Sequence, residues 1–305
     1  MKTIRHFLYL ILLLPGLISA VRADSLNSSC SITASEAALD GGVIHYHQAG
    51  TGPHVLLLHG LFANKEQWDG VLCLLSTAGY TAIAPDLPGY GKSVNFPVTD
   101  YPLENQVARL RQFMDSLGIT QFDIAGNSMG GTIAALYVQQ YPQQIRTLAF
   151  IGSPLGIIDW SPQVKEAIYQ GINPLIPVNS AELDLELSLL LVNPPILTED
   201  VKNAMVKDYV ERNRHYQQVW TIVTLYNQVF YPPRLWLQAP TLILWGEDDK
   251  IFAVDGVIPL SQRFPRGKRV RLPNAGHLLH LEHPTETAAI YLDFLRIYSL
   301  FRWGR

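Results

Sequence analysis

Along the chain, short hydrophobic runs alternate with longer amphipathic stretches. Gly42 to Gln48 switches between apolar and polar with period two, as a strand exposed on one side does. Val55 to Leu58, Ala82 to Ala84, Ile124 to Ala125, Leu148 to Ile151 and Leu242 to Trp245 are instead continuous apolar runs, the pattern of strands covered on both faces. Helix-period patterns fall at Leu103 to Leu117, Met129 to Tyr141, Val254 to Phe264 and Pro284 to Phe301. Strands alternating with helices predict an α/β fold whose mostly parallel central sheet carries helices on both faces.

Between Pro154 and Pro240 that alternation lapses into helical segments such as Ala181 to Leu191 and Asp200 to Val210, punctuated by Pro194-Pro195 and Pro232-Pro233. The stretch predicts a helical cap inserted into the sheet, over the carboxyl ends of the strands where open sheets bind ligands. Its apolar residues offer walls for an acyl pocket, although Leu185, Leu187, Leu189 and Leu190 are expected mostly to pack the cap's own core. The division expected is a signal segment over 1–23, an N-terminal tail over 24–40, the core over 41–153 and 240–305, and the cap over 154–239. There is no internal repeat.

The N-terminus changes the picture of where the protein works. Lys2 and Arg5 precede an apolar run from Phe7 to Ile18, broken by Pro15 and Gly16 and followed by small residues at Ala20 and Ala23. This is the pattern of a secretory signal cleaved after Ala23, giving an exported, periplasmic or secreted protein. The alternative is an uncleaved segment that anchors the protein in a membrane, although a spanning helix needs roughly 20 apolar residues.

Composition narrows the function classes. With 48% hydrophobic and 16% charged residues among 305, the chain can offset its ordering entropy by burial, which excludes a disordered protein. The net charge is −3, and loss of residues 1–23 removes Lys2, Arg5 and Arg22 but no acidic group, so nucleic acid is excluded as a partner. Cys30 lies in a Ser-rich segment and Cys73 in the apolar stretch Val71 to Leu75, and two unpaired thiols are expected.

Candidate chemistry is concentrated at Gly126-Asn127-Ser128-Met129-Gly130-Gly131, which follows the apolar run Phe122 to Ala125 and opens the helical pattern from Thr132 to Val138. A sharp strand-to-helix turn of this kind leaves no room for side chains at Gly126 and Gly130 and pushes the Ser128 hydroxyl out above the sheet. A serine hydroxyl is a weak nucleophile, so it needs a base in reach and a third group to orient that base. The base expected is His277, in Ala275-Gly276-His277 after the strand pattern Arg269 to Leu272. The acid should follow Leu242 to Trp245, where Glu247, Asp248 and Asp249 all offer carboxylates.

Acyl transfer places negative charge on the former carbonyl oxygen, and each backbone donor aimed at it is worth about a hundred- to a thousandfold in rate. The backbone N–H groups expected there are those of Met129, at the helix start, and Leu61, in His59-Gly60-Leu61-Phe62 directly after Val55 to Leu58. His59 is expected to brace that loop, and His45, His47, His54, His215 and His280 to be surface or packed histidines.

Two other patterns fail. Gly89-Tyr90-Gly91-Lys92-Ser93 imitates a phosphate-binding loop, but Asp86 stands where its first glycine belongs. His277, His280, Glu282 and His283 match no zinc spacing.

Taken together, His59-Gly60-Leu61-Phe62, Asp86-Leu87-Pro88-Gly89-Tyr90-Gly91, Gly126 to Gly131, Trp245-Gly246 with Asp249, and Ala275-Gly276-His277 resemble the α/β-hydrolase superfamily in order and spacing. Within it the chain looks like bacterial family V lipases and esterases and the α/β-hydrolase-domain monoacylglycerol lipases, also at Asn173-Pro174-Leu175-Ile176-Pro177 and Val192-Asn193-Pro194-Pro195. The resemblance implies an α/β-hydrolase fold with Asp249 as the acid, and a serine esterase or lipase acting on small-molecule ester or lipid substrates such as monoacylglycerols or short to medium acyl esters. It implies no metal or organic cofactor, and it allows association with a membrane surface. A carbon–carbon hydrolase of aromatic ring-cleavage products is the alternative, since that branch also carries Gly-Asn-Ser-Met-Gly-Gly. The export signal ranks it second. A non-enzymatic binding module on the same fold is an alternative of another class, and its mark would be a broken triad.

Overall fold

The computed structural model describes residues 30–226, 239–265 and 267–300. The first half holds β1 (Thr33–Leu39), β2 (Gly42–Ala49), β3 (His54–Leu58), α1 (Asp69–Thr77), β4 (Thr81–Pro85), α2 (Leu103–Ser116), β5 (Phe122–Ser128), α3 (Met129–Gln140) and β6 (Ile145–Pro154). Four helices follow, α4 (Pro162–Tyr169), α5 (Ser180–Leu190), α6 (Glu199–Glu211) and α7 (Asn213–Thr224). The chain then returns through β7 (Thr241–Gly246), α8 (Val257–Arg263), β8 (Lys268–Leu272), α9 (Leu279–Glu282) and α10 (Pro284–Leu300).

One eight-stranded sheet runs in the order β1-β2-β4-β3-β5-β6-β7-β8. β1 and β2 are antiparallel to their neighbours, and every pair from β4 onward is parallel. Side-chain alternation sends Leu56, Leu58 and Ile124 to one face, where Val107, Leu110 and Phe113 of α2 lie. Val55, Leu57 and Ala125 go to the other, against Leu72 and Leu75 of α1 and Phe294 of α10. Cover on both faces is why the central strands read as unbroken apolar runs.

Among the described residues, the four helices between β6 and β7 are the inserted helical elements. Ser161 caps α4 by accepting from Val164 N–H, and Asn179 caps α5 by accepting from Glu182 N–H while Glu182 reaches back to Val178 N–H. The prolines at 232 and 233 lie outside the described residues.

Two elements escape the hydrophobic pattern. β1 has the composition Thr-Ala-Ser-Glu-Ala-Ala-Leu and is largely exposed, so neither alternation nor branched side chains mark it. It exists because the Asp40-Gly41 turn, with Gly41 at φ 93°, folds residues 33–39 of the expected tail back on β2 as an edge hairpin. α1 hides in the apolar stretch around Cys73.

The expected free thiols are corrected: Cys30 and Cys73 form a disulfide, with Cα atoms 5.5 Å apart. The β1–β2 hairpin carries residue 30 back over α1, a proximity that the local context of neither cysteine reveals. The bond closes a separation of 43 residues, so the chain-entropy model assigns it about 4 kcal/mol. Cys73→Ser is expected to lower unfolding free energy by about 2–4 kcal/mol, read from urea denaturation. Equal midpoints for variant and parent would contradict it.

The membrane-anchored alternative is also corrected. Among the described residues no helix is long and apolar enough to cross a membrane. Residues 1–23, on which the expected signal falls, lie outside them.

Candidate active site

β5 ends in the elbow. Ser128 sits at φ 52° and ψ −122°, a strained conformation for a residue with a Cβ, and Met129 begins α3 directly after it. The turn is tight enough that a Cβ on Gly126 would lie 2.3 Å from the Gly130 carbonyl carbon, and one on Gly130 2.4 Å from the Leu58 oxygen. Small residues are therefore obligatory where β5, α3 and the end of β3 converge.

After β7 the chain turns so that Asp249 is buried while Glu247 and Asp248 are exposed. Asp249 Oδ1 accepts from the backbone N–H groups of Ile251 and Phe252, at 2.9 and 3.0 Å. Its Oδ2 lies 2.9 Å from His277 Nδ1. Of the three carboxylates left open by the sequence, Asp249 is the one that meets the imidazole. Because Nδ1 is engaged, Nε2 is the ring nitrogen left to act.

Ser128 and His277 both line one cavity. No hydrogen bond joins their side chains, and such bonds often tighten only when substrate is bound. Leu61 and Met129 line the same cavity, Leu61 in the loop after β3 and Met129 at a helix start, where the first amides have no intrahelical partner.

Each loop is held from behind. Leu87 N–H donates to His59 Nε2 at 3.0 Å, so the proton sits on Nδ1, which donates to Gly60 O at 2.8 Å. Burial lowers the His59 pKa, with Asp86 pulling the other way, and the neutral ring braces the Leu61 loop as expected. Asp86 is fully buried and accepts from Lys65 N–H, Lys65 Nζ and Lys92 N–H. The phosphate-loop imitation around Gly91 is thus a turn wrapped on a carboxylate.

Two residues of the site carry no local signal of their role, and a third carries only a faint one. Asn127 Nδ2 donates to Ile151 O at 2.9 Å and to His277 O at 3.0 Å, tying the elbow to the histidine loop across β6. Glu282 accepts from Gly276 N–H and Val192 N–H, both at 2.7 Å, so one carboxylate joins that loop to the chain leaving α5. His277 N–H in turn donates to Leu190 O at 3.0 Å. Glu186, on the buried face of α5, lines the cavity; its spacing from Leu183 and Leu187 was the available clue.

Glu282→Ala strips the histidine loop of its anchor and is expected to lower kcat by about a hundredfold, the usual penalty for a misplacement near 1 Å. Steady-state kinetics on a variant with native circular dichroism checks it. An unchanged kcat would show that the loop holds its place without this contact.

Among the described residues the other histidines lie outside the cavity lining. His280 is buried against Trp68, with ring centroids 4.4 Å apart, and burial pushes its pKa down to about 3. His283 meets Asn274 O. Among the described residues no cluster of His, Cys, Asp or Glu could hold a metal ion.

The cavity walls are mostly apolar and come from both parts of the fold: Leu155 and Ile251 from the core, Leu175, Leu187, Leu190 and Met205 from the inserted segment. Leu187 and Leu190 therefore face the cavity, whereas Leu185 and Leu189 pack into the main core, which corrects the expectation that most of the four pack a core of the cap's own.

Residues 53–284 match the profile of the alpha/beta hydrolase fold family. Monoacylglycerol lipase abhd6-B of Xenopus laevis is 29% identical over 259 residues, 81% of this chain and 76% of that protein. The crystal structure of a membrane phospholipase A, a bacterial virulence factor, matches with a TM-score of 0.80 at 28% identity over 98% of this chain and 96% of that one. The 2-hydroxy-6-oxo-6-phenylhexa-2,4-dienoate hydrolase of Rhodococcus sp. strain RHA1 matches with a TM-score of 0.75 at 21% identity, over 88% of this chain and 100% of that one, a likeness of fold. Hydrolases of meta-cleavage products recur among the similar structures. The chain belongs to the α/β hydrolase fold family and is a serine hydrolase of the nucleophile–histidine–acid kind, acting on ester or related carbon–carbon bonds.

Proposed function

We propose that Ser128, His277 and Asp249 are the catalytic triad of an esterase or lipase, with the Leu61 and Met129 N–H groups as its oxyanion hole. The observation that carries this reading is the buried Asp249–His277 pair opening on the same apolar cavity as the Ser128 elbow. His277 Nε2 takes the Ser128 proton as the hydroxyl attacks the ester carbonyl. The tetrahedral oxyanion accepts from the two backbone donors, and His277 then protonates the departing alcohol. Water, deprotonated by the same nitrogen, releases the acid and restores the serine. Asp249 holds the ring in the tautomer that keeps Nε2 free, and it stabilises the imidazolium.

Carbon–carbon hydrolysis of ring-cleavage products is the second reading. Hydrolases of such products recur among the structural neighbours, and Asn127 before Ser128 resembles that branch. The export signal that ranks it second falls on residues outside the described ones. Those neighbours, at 18 to 21% identity, support the fold alone.

The cavity supports the ester. Among the described residues its lining has no lysine or arginine, and it includes the carboxyl groups of Glu186 and Asp208. A dienoate would enter with its negative charge unpaired, at a desolvation cost of several kcal/mol. A neutral acyl chain meets leucines. Monoacylglycerols or short to medium acyl esters fit this chemistry.

The discriminating measurement is a hydrolysis profile over glyceryl and nitrophenyl esters of increasing chain length, run beside an aromatic ring-fission product. Esters are expected to be turned over at least about a hundredfold better. Preference for the ring-fission product would overturn the ester reading and leave the hydrolase intact.

A further inference from the structure

Glu186 is an anomaly on its helix. α5 turns Leu183, Leu187 and Leu190 toward packed apolar surroundings, and Glu186 lies on that same face, 6% exposed. A carboxyl group in such a place needs partners. Tyr209 of α6 supplies one, its hydroxyl donating to Glu186 Oε1 at 3.1 Å. Among the described residues no hydrogen bond engages Oε2, and Glu186 lines the cavity that also holds Ser128 and His277.

We propose that Glu186 is a specificity-determining residue whose carboxyl group binds an uncharged hydroxyl of the substrate, so that the enzyme selects hydroxyl-bearing esters over plain alkyl esters and over anions. The inference rests on the ester reading and deepens it. The triad and its oxyanion donors act at the scissile carbonyl, so a separate polar group, set between leucines on the α5 wall, meets a separate polar group of the ligand. A hydroxyl both donates and accepts, matching a carboxylic acid that does the same. An anion finds no cation in the described lining.

Burial pushes the Glu186 carboxyl up to about 8, against the small opposing pull of the Tyr209 hydrogen bond, so the group is a neutral donor at pH 7. The ionisable groups around it are Tyr209 and Asp208 on α6, Tyr216 and Arg212 at the start of α7, and His277 across the cavity. Tyr216 donates to Asp208 Oδ2, and Arg212 stacks on the Tyr216 ring, so neither Asp208 nor Arg212 is spent on Glu186.

The test uses matched substrates on both sides of the ester. One arm compares p-nitrophenyl hexanoate with its ω-hydroxy and ω-carboxy counterparts; the other compares propyl hexanoate with hydroxyethyl hexanoate. In one arm the hydroxyl ester is expected to lead its alkyl partner by about tenfold in kcat/KM, carried by KM, and that arm tells whether the acyl or the alcohol part bears the hydroxyl. The ω-carboxy ester should trail by about a hundredfold.

Glu186→Leu should abolish the hydroxyl preference, and Glu186→Gln, which keeps a neutral donor, should restore it in a protein of native circular dichroism. KM for the hydroxyl ester should rise in the parent as pH passes about 8 and stay level in Glu186→Gln. A hydroxyl-to-alkyl ratio that is flat in both arms, or unchanged in Glu186→Leu, overturns the role of Glu186 while ester turnover upholds the ester reading. A parent that cleaves none of these esters overturns both.

Discussion

Replacing Ser128 or His277 with alanine is expected to lower ester turnover by about a millionfold, leaving only what binding and the oxyanion donors supply. The size follows from the chemistry. Without the hydroxyl there is no acyl-enzyme, and without the imidazole the group that takes the proton from Ser128 is gone. The two variants should be about equally poor, and the double variant scarcely worse, because the pair acts as a unit. A fluorophosphonate probe gives a second readout: it should label the parent and leave Ser128→Ala unlabelled. Retention of most activity in Ser128→Ala would end the assignment of the nucleophile.

Asp249→Asn should cost about ten thousandfold in kcat while the protein stays folded. The amide retains a hydrogen-bonding shape, but where Oδ2 now accepts from Nδ1–H it can present an N–H. The ring then turns its proton to Nε2, and a protonated Nε2 cannot accept from serine. Glu247→Gln and Asp248→Asn are expected to stay within about twofold of the parent, because both side chains are exposed and make no contact with His277. Loss of activity in either, with Asp249→Asn active, would move the acid to the neighbouring position.

These expected effects all fall at one seam of the molecule. The elbow ends β5, the histidine loop follows β8, and the chain leaving α5 lies over both, with Asn127 and Glu282 as the hydrogen-bonded joints. The inserted helices therefore do more than roof the cavity. Leu190 O receives the His277 N–H, so any displacement of α5 is transmitted to His277.

Much of this could be read from the chain itself, wherever the signal is local. Unbroken apolar runs marked the central strands and period-three-to-four patterning most helices, because each pattern reports how its own element is covered. The elbow was legible because its glycines are required within five consecutive residues, and the family profile over 53–284 agrees with the fold inferred from that order. What the sequence could not decide depends on residues remote from one another. Choosing among Glu247, Asp248 and Asp249 required knowing which carboxylate faces a histidine 28 positions later. The Cys30–Cys73 bond spans 43 residues, the Asn127 tie to His277 spans 150, and the Glu186–Tyr209 pair joins two helices. Patterning and propensity report on the conformation of a segment. Which side chain meets which partner is settled only when the sheet, hairpin and inserted helices close on each other, since the free energy of those contacts does not exist before they form.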